Sequence, residues 1–478
     1  MASPVYLTRR IIGVSYLRPV ARTFACAVGM LLGGAGARAQ QMDMTSSLQG
    51  GVPQGAPTAS ELALTLNDAI ARGLASNLAA IVAETSIDAA EGSLATARAD
   101  LLPQLHGSVS GSRQKINLAA YGLATPGMET MVGPFNVFDA RASIRQSILD
   151  FKALNSARAA SRLLEVARQD RRSVRDLVVL VCGQLYLQAV AGQSRIAAAR
   201  AQLETADALL TLARDRKASG LVAGIEVLRA DVQAQVQRQR LIVADAEEAK
   251  AKLVLARAIG LPLGQRFTLT DGMPFTPPPP LTAQEATERA WQERPDLRAE
   301  VARVEAAQAA RRAAFAENLP SLGVSADAGA IGNDVPGARF TYSMAAALQV
   351  PLFEGGRSAG HARQAEARLR VERARLADLR ARISYEIESV FLDLDAAAAR
   401  VGVAENALGL ATQQLEQARD RFQSGVAGTL ELVQAQEALA TAEENRIASL
   451  YAHNVARFTL ARALGGAETS YATLLKGQ

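Results

Sequence analysis

Two stretches of the chain nearly repeat each other: RDRKASGLVAGIEVL over residues 214–228 and RDRFQSGVAGTLELV over residues 419–433. Each places a Ser-Gly pair between two long, alanine-rich segments. A glycine that follows a helical pattern is a typical stop signal, and an acidic residue a few positions later favours the start of the next helix. The two stretches therefore predict two helical hairpins at a spacing of 205 residues.

The duplication extends outward from these turns. LARAIG at 255–260 recurs as LARALG at 460–465, and LPQL at 102–105 recurs as LPSL at 319–322. Such steady internal spacing is the mark of a repeated structural unit. We therefore divide the chain into a flexible mature N-terminus, a first repeat, a proline-rich linker, a second repeat and a C-terminal tail, over residues 40–60, 61–260, 261–280, 281–465 and 466–478.

Long helices are predicted in both repeats. In the second, apolar residues recur at every seventh position from Ile387 to Phe422, and the first repeat does the same from Cys182 to Leu210. A sustained seven-residue period indicates a coiled-coil seam, in which Cys182 is expected to be a small buried residue. A helix over 358–423 would be about 100 Å long, which is more than a globular domain accommodates.

In two other stretches of each repeat, apolar or small side chains alternate with mostly polar ones, which is the two-residue period of a β-strand. These predicted strands lie near 105–117, 135–149, 320–332 and 339–351. Their length suits membrane-spanning β-strands, although a small antiparallel sheet on a soluble domain fits equally well. Four spanning strands cannot close a barrel, and open edges are not tolerated in hydrocarbon. If the strands span a membrane, the barrel must be shared, with eight strands in a dimer or twelve in a trimer.

The N-terminus predicts a secretory signal peptide over residues 1–39, cleaved between Ala39 and Gln40. It has a basic start, a short apolar run and an A-x-A site. Removing its five arginines from the 52 basic residues leaves 47, equal to the 47 acidic ones, so nucleic-acid binding is not expected.

Residues for catalysis or metal binding are scarce. The chain has three histidines and two cysteines, and it shows no nucleophile–base pair, phosphate-binding loop or metal-ligand spacing. We therefore expect no enzyme activity, no cofactor and no metal site.

The duplicated helix–strand–strand–helix–helix plan, the hairpin turns and PLFEGG at 351–356 resemble the TolC-like outer-membrane efflux proteins of Gram-negative bacteria. The resemblance covers residues 60–465. It implies a mainly α fold with membrane β-strands, forming as a homotrimer a twelve-stranded outer-membrane β-barrel continued by a periplasmic α-helical barrel. It also implies a duct without a catalytic step, which contacts outer-membrane lipid and works with a periplasmic adaptor (membrane fusion) protein and an inner-membrane transporter of ABC or RND type.

The resemblance also assigns roles at the hairpin turns. The periplasmic gate would comprise Glu226, Glu431, Phe422 and Gln434, and the adaptor contact would comprise Ser219, Gly220, Ser424 and Gly425. Six carboxylates in a trimer would favour cations. The residues alone favour simpler interpretations, in which the glutamates are solvated acids at helix starts, the glycines are turn residues, and Phe422 is part of the heptad seam. Arg229 and Gln434 stand where the founding member has a second gate acid, which weakens an inner acidic ring.

Aromatic residues near the strand starts suggest a girdle at the membrane surface. Its candidates are Phe135, Phe138, Phe340 and Tyr342. For the cargo, the absence of a lipobox cysteine favours type I secretion of a protein or general efflux, with drug or metal efflux as the alternative. A periplasmic coiled-coil adaptor or structural protein is a further alternative, although adaptors usually have one hairpin and this chain has two.

Overall fold

The computed structural model describes residues 47–123, 127 and 129–474. The expected signal peptide and its cleavage point at Ala39 and Gln40 lie outside the described residues. Nine α-helices of the described part are labelled in chain order: α1 Leu66–Ser76, α2 Leu78–Ala99, α3 Phe151–Ala218, α4 Gly224–Ala258, α5 Ala283–Glu293, α6 Pro295–Ala316, α7 Arg357–Gln423, α8 Thr429–Ala463 and α9 Ala467–Leu474. The strands are β1 Leu62–Leu64, β2 Gln104–Asn117, β3 Met131–Leu149, β4 Phe267–Leu269, β5 Ser321–Gly332 and β6 Arg339–Gln349.

Two long hairpins dominate the molecule. Hairpin 1 is α3 and α4, and hairpin 2 is α7 and α8; their first helices have 68 and 67 residues, about 100 Å each at 1.5 Å per residue. The heptad prediction is confirmed, because Ile387, Leu394 and Val401 are at most 1% exposed. Cys182 is fully buried, and burial raises the pKa of its thiol to about 12. Contacts between neighbours place the four long helices in the order α4, α3, α8, α7.

Helix α3 is the central element of this arrangement. It contacts α2, α4, α6 and α8, and one 18-residue window of it is apolar enough to cross a membrane by composition. More than half of that window, 56%, is buried inside the protein. Its apolar character is therefore that of a core helix.

The four long strands form one antiparallel sheet in the order β2-β3-β5-β6. Strand β3 begins at Met131, four residues before the expected start, because Met131 and Val132 continue the pairing with β2 beyond Gly133 and Pro134. Strand β6 ends at Gln349 rather than at 351, where Pro351 has no backbone N–H for the ladder. Within the described chain, β2 and β6 each have a partner strand on one side.

The proline-rich linker expected over 261–280 takes part in the core, where Leu261 and Phe267 are buried. Its strand β4 pairs in parallel with β1, and Phe267 is 7% exposed. Further on, the His453 Nε2–H donates to the Thr276 carbonyl at 2.8 Å, and the Asn454 amide donates to the Pro274 carbonyl at 3.1 Å. A three-residue strand is too short to show a sequence pattern, so the linker appeared featureless.

Two terminal segments also differ from the expectation. The mature N-terminus expected to be flexible over 40–60 is bound from residue 48, where the Asn77 amide donates to the Leu48 carbonyl at 2.7 Å, and further on the Val52 N–H donates to the Ser76 carbonyl at 2.8 Å. The expected tail over 466–478 contains α9, whose Glu468 N–H donates to the Asp176 carboxylate at 2.8 Å. Both segments pack on the region between the sheet and the hairpin tips.

Candidate functional site

The tips of the two hairpins have the same backbone. Gly220 and Gly425 both have φ 75°, the left-handed conformation that glycine adopts without strain. The Leu221 N–H donates to the Arg216 carbonyl at 2.9 Å, and the Val426 N–H donates to the Arg421 carbonyl at 3.0 Å. These bonds close a Schellman motif at the end of α3 and of α7. Local sequence therefore determines both turns.

The serines before these glycines serve the helices. The Ser219 and Ser424 hydroxyls donate to the Asp215 and Asp420 carbonyls at 3.0 and 2.8 Å. Both hydroxyls are engaged within their own helix, so the serines offer an outside partner mainly their exposed surface.

Large apolar side chains at the tips were missed by the sequence analysis. Leu221 and Val426 are 73% and 70% exposed, and Leu430 is 56% exposed. The signal was present in the sequence: valine and leucine at exposed turn positions have no folding role there. Exposed apolar side chains that recur at one end of a molecule indicate a contact surface.

Arg216 joins the two tips. It lies on α3, and its guanidinium donates to the Phe422 and Gln423 carbonyls at 2.8 and 2.7 Å at the end of α7. It also lies over the Phe422 ring, 4.7 Å from the centroid. A cation at a helix C-terminus and over an aromatic face is favourable on both counts. Phe422 itself is 2% exposed, so it packs between the hairpins as its heptad position predicted.

The two candidate gate glutamates have different partners. Glu226 accepts from the Thr429 N–H at the start of α8 at 3.3 Å, and it pairs with Arg229 at 2.9 Å. Glu431 pairs with Arg421 of its own hairpin at 2.9 Å, and both side chains of that pair are about half exposed. The structure thus brings Glu226 and Phe422 to the junction of the tips, and leaves Glu431 and the exposed Gln434 at its border.

The four aromatic candidates do not share a face of the sheet. Phe138 pairs with Gly332, while Phe340 and Tyr342 pair with Ala330 and Ala328 on the same face, where they are each 72% exposed. Phe135 is three residues from Phe138, and an odd separation along a strand reverses the face. Phe135 therefore lies on the side of Asp139 and Arg141 and cannot belong to one outward ring with the others.

Leu352 and Phe353 were not among the candidates, yet they are 91% and 89% exposed where β6 ends. Their apolar character and position, beyond the opposite end of the strands from Phe340, could have identified them. Within the described residues, His, Cys, Asp and Glu side chains form no group that could hold a metal ion.

Both repeats match the sequence model of a known protein family. The sequence model of the family described as outer membrane efflux protein matches residues 70–261 and again residues 286–466. The chain belongs to the outer membrane efflux protein family. The two matches correspond to the two repeats, so the duplication is a property of the family.

Named relatives of this efflux protein are similar over most of its length. The pyoverdine export outer membrane protein OpmQ of Pseudomonas putida is 26% identical over 411 residues, which cover 83% of this chain and 84% of OpmQ. The alkaline protease secretion protein AprF of Pseudomonas aeruginosa is 26% identical over 376 residues, 73% of either chain. The crystal structure of the CmeC outer membrane channel of Campylobacter jejuni superposes with a TM-score of 0.75 over 90% of this chain and 95% of CmeC, at 17% identity.

These matches establish the general role. The protein is an outer-membrane efflux channel of the TolC-like type, with a large periplasmic helical part, in a Gram-negative bacterium. The soluble adaptor considered from the sequence is therefore wrong.

Proposed function

We propose that this efflux protein acts as a homotrimer, in which three four-stranded sheets close a twelve-stranded outer-membrane barrel and six hairpins form a periplasmic tube. The observation that carries the proposal is the pair of free sheet edges at β2 and β6. Unpaired backbone groups cost several kcal/mol each in hydrocarbon, so each β6 must meet the β2 of the next protomer.

The long helices support the same closure. Helix α7, which follows the free strand β6, exposes a second apolar stripe with Tyr385, Leu392 and Leu410 between 68% and 72% exposed. On the opposite flank, Leu228 and Val232 of α4 are 62% and 64% exposed. The two outer helices, α4 and α7, thus both expose apolar side chains. A head-to-tail ring packs α7 of one protomer against α4 of the next and buries these side chains.

At the tips, we propose a periplasmic gate that includes Glu226, Glu431, Phe422 and Gln434. Three protomers bring six carboxylates of Glu226 and Glu431 into one ring, which attracts cations and repels anions. The Arg229 and Arg421 partners offset part of this charge, so the cation preference should be moderate.

The outer surface of the same tips is the proposed contact for a periplasmic adaptor, which couples the channel to an inner-membrane transporter. Ser219, Gly220, Ser424 and Gly425 supply a small, regular turn, and the exposed Leu221 and Val426 supply apolar area. At the other end, Phe138, Phe340 and Tyr342 form the proposed aromatic girdle against lipid.

For the cargo, we propose export of a pyoverdine-like compound or another general efflux substrate, since the relative named for pyoverdine export aligns over 83% of this chain. Type I secretion of a protein, which the sequence favoured together with general efflux, is the second candidate; its support is the relative named for alkaline protease secretion. The channel itself performs no catalytic step in this proposal.

Outer-membrane fractionation, trimer analysis and planar-bilayer recordings test the assembly. We expect a heat-modifiable trimer that conducts ions, whereas a monomer without conductance would contradict the proposal.

For the gate, the double variant Glu226→Gln plus Glu431→Gln should lower the cation-to-anion permeability ratio, and the exposed Glu61→Gln is the matched control. For the cargo, a deletion strain is compared with its parent for secreted proteins and for export and tolerance of small compounds.

A further inference from the structure

A charged cluster crosses the sheet at mid-height. Arg141 of β3 donates to Asp139 of the same strand at 2.8 Å and to Asp327 of β5 at 2.5 Å, and the Ser343 hydroxyl of β6 donates to the other Asp327 oxygen. Four side chains on three strands thus form one network, which we call the belt: Asp139, Arg141, Asp327 and Ser343.

The strand register fixes the face on which the belt lies. Ser143 pairs with Asp327, which pairs with Ser343, and Arg141 stands two residues from Ser143. The opposite face carries Phe138, the alanines of β5, Tyr342 and Met344. Ionised side chains avoid hydrocarbon, so in the closed barrel of the proposed function the belt faces the water-filled lumen.

The height of the belt follows from the length of the strand. Asp327 is six residues from Ser321 in a strand of 12 residues, which puts it about 20 Å along a strand of roughly 40 Å. The belt therefore lies at the level of the hydrocarbon and far from the hairpin tips, and it is separate from the gate.

The lumen is narrow enough for this charge to act on passing ions. Twelve strands about 4.8 Å apart and tilted by about 40° enclose a circle of roughly 24 Å across at the backbone. Long side chains reduce that width, and the Debye length is about 10 Å at 0.1 M salt. An ion on the axis consequently remains within range of all three copies of the belt.

Within the three rows of the sheet from Asp139 to Asp327, the charges are balanced. Asp139 and Asp327 are offset by Arg141 and by Arg339, which stands in the same row as Asp139 across β5. Arg145, the next ionised side chain on this face of β3, pairs with Ser325, two residues or about 7 Å beyond the Asp327 row, and adds a positive charge at the periplasmic border of the belt. The charge balance of the belt thus depends on single residues, each present three times in the trimer.

We propose that the belt is a second selectivity element of the channel, with Arg141 as the specificity-determining residue that, together with Arg339, offsets the charge of Asp139 and Asp327 and lets anionic and cationic cargo pass the barrel alike. The proposal rests on the trimeric channel proposed above. It assigns charge selection to two levels, the acidic tips and the balanced belt.

Reversal potentials of the purified full-length protein in planar bilayers, under a KCl gradient, test this proposal. Arg141→Gln leaves one uncompensated carboxylate charge per protomer, three in the ring, and should raise the cation-to-anion permeability ratio at least about threefold near 0.1 M salt. The gain should collapse near 1 M, where the Debye length is about 3 Å. Asp327→Asn should shift the ratio the opposite way, and Arg141→Gln combined with Asp327→Asn should return it towards the wild-type value.

Arg141→Lys is the matched control, because it keeps the charge and changes only the hydrogen bonds; it should behave as wild type. A conducting trimer in which Arg141→Gln and Arg141→Lys have the same reversal potential overturns the belt proposal while the channel stands. A wild-type protein that forms no conducting trimer overturns the proposed function instead. Heat-modifiability of each variant identifies those that fail to assemble, and Asp327→Asn then provides the deciding measurement.

Discussion

The two repeats build the same bend between their short helices with different chemistry. In the first, Asn77 joins α1 to α2, and in the second, Arg294 joins α5 to α6, with φ near −65° and −61°. Both side chains are at most 2% exposed, and both donate to the carbonyl of the last residue of a long helix, Ala258 or Ala463. Both repeats therefore have the same backbone bend and the same hydrogen bond to a helix end, but the donor is a neutral amide in the first and a cation in the second.

The buried cation needs ionised partner side chains, whereas the neutral amide does not. Arg294 pairs with Asp296 at 2.6 Å and with Glu386 at 2.8 Å, and Arg462 also pairs with Glu386 at 3.2 Å. Burial would raise the pKa of Asp296, but the hydrogen bonds and charge of Arg294 lower it. The first repeat has Ala79 and Val181 at the positions of Asp296 and Glu386. One junction is therefore uncharged and satisfied by backbone partners of a single amide, and the other is an ionic network of several side chains.

Removing the side chain at each junction tests this difference most strongly. Arg294→Ala should destabilise the protein by about 3–5 kcal/mol, because it removes a buried, packed side chain and leaves the partly buried Asp296 without its partner, while Glu386 keeps its pair with Arg462. Asn77→Ala, the matched change in the first repeat, should cost about 1–3 kcal/mol. Denaturant unfolding of the detergent-solubilised protein measures both. Equal losses would show that the charge of Arg294 does not matter.

A second test replaces the ionic residues of the second junction by their counterparts from the first. The triple variant Arg294→Asn, Asp296→Ala, Glu386→Val should recover most of the stability that Arg294→Ala loses, because a buried ionic network is often replaceable by neutral side chains of suitable shape.

Asp176 is the charge that the first repeat has and the second lacks, since its counterpart is Ala381. Burial raises the pKa of Asp176 to about 6, although the hydrogen bond from the Glu468 N–H opposes the shift. Its ionised form is thus unfavourable in the folded state, and stability from this group is present when it is protonated and is lost as the pH rises through about 6.

Asp176→Asn keeps an acceptor for the Glu468 N–H and has no charge to desolvate. It should stabilise the protein at pH 7.5 by up to roughly 3 kcal/mol, at 1.36 kcal/mol per pKa unit, with the gain shrinking as the pH falls from 6 to 4. Unfolding at several pH values measures the gain. Ala381→Asp adds an exposed acid at the counterpart position and should change stability by less than about 0.5 kcal/mol; a pH-independent effect of Asp176→Asn would contradict the assignment.

At the tips, the arginines of the two repeats also differ. Arg216 bonds two carbonyls of hairpin 2, whereas Arg421 has an exposed pair with Glu431. Arg216→Ala should weaken the tip by about 1–2 kcal/mol, and Arg421→Ala by less than about 1 kcal/mol. Hydrogen exchange of residues 421–428 reports this loss. Equal effects of the two variants would contradict the difference between the contacts of Arg216 and Arg421 within one protomer. They would indicate that Arg421 also binds a neighbouring copy.

The smallest difference is expected at the turn glycines, where the repeats are alike. A Cβ at Gly220 or Gly425 meets nothing within 4 Å, so alanine costs only the left-handed backbone, about 1–2 kcal/mol at either tip. Hydrogen exchange at the two turns should change by the same amount, and a marked asymmetry would reveal a contact made by one tip alone.

Features that depend on nearby residues were readable from the sequence. The heptads predicted which positions of α7 are buried, and the Ser-Gly pairs predicted the turns. The opposite faces of Phe135 and Phe138 were also available from their spacing. Contacts between distant segments were not, because β4 has three residues and the Glu226 contact with Thr429 spans 203 positions. The ionic network at Arg294 gave no local pattern either, since its members come from three helices.

The pairing of β1 with β4 also sets an order of events for a chain that folds from its N-terminus. Leu62 meets Phe267, so the strand pair that closes this end of the first repeat is available once residue 269 has emerged, before any helix of the second repeat exists. The second repeat is followed by α9, whose Glu468 N–H donates to Asp176 of the first repeat. Since the part of a chain that emerges first generally folds first, we expect the first repeat to form early and its core to be completed only when Phe458 and Ala461 of the second repeat arrive.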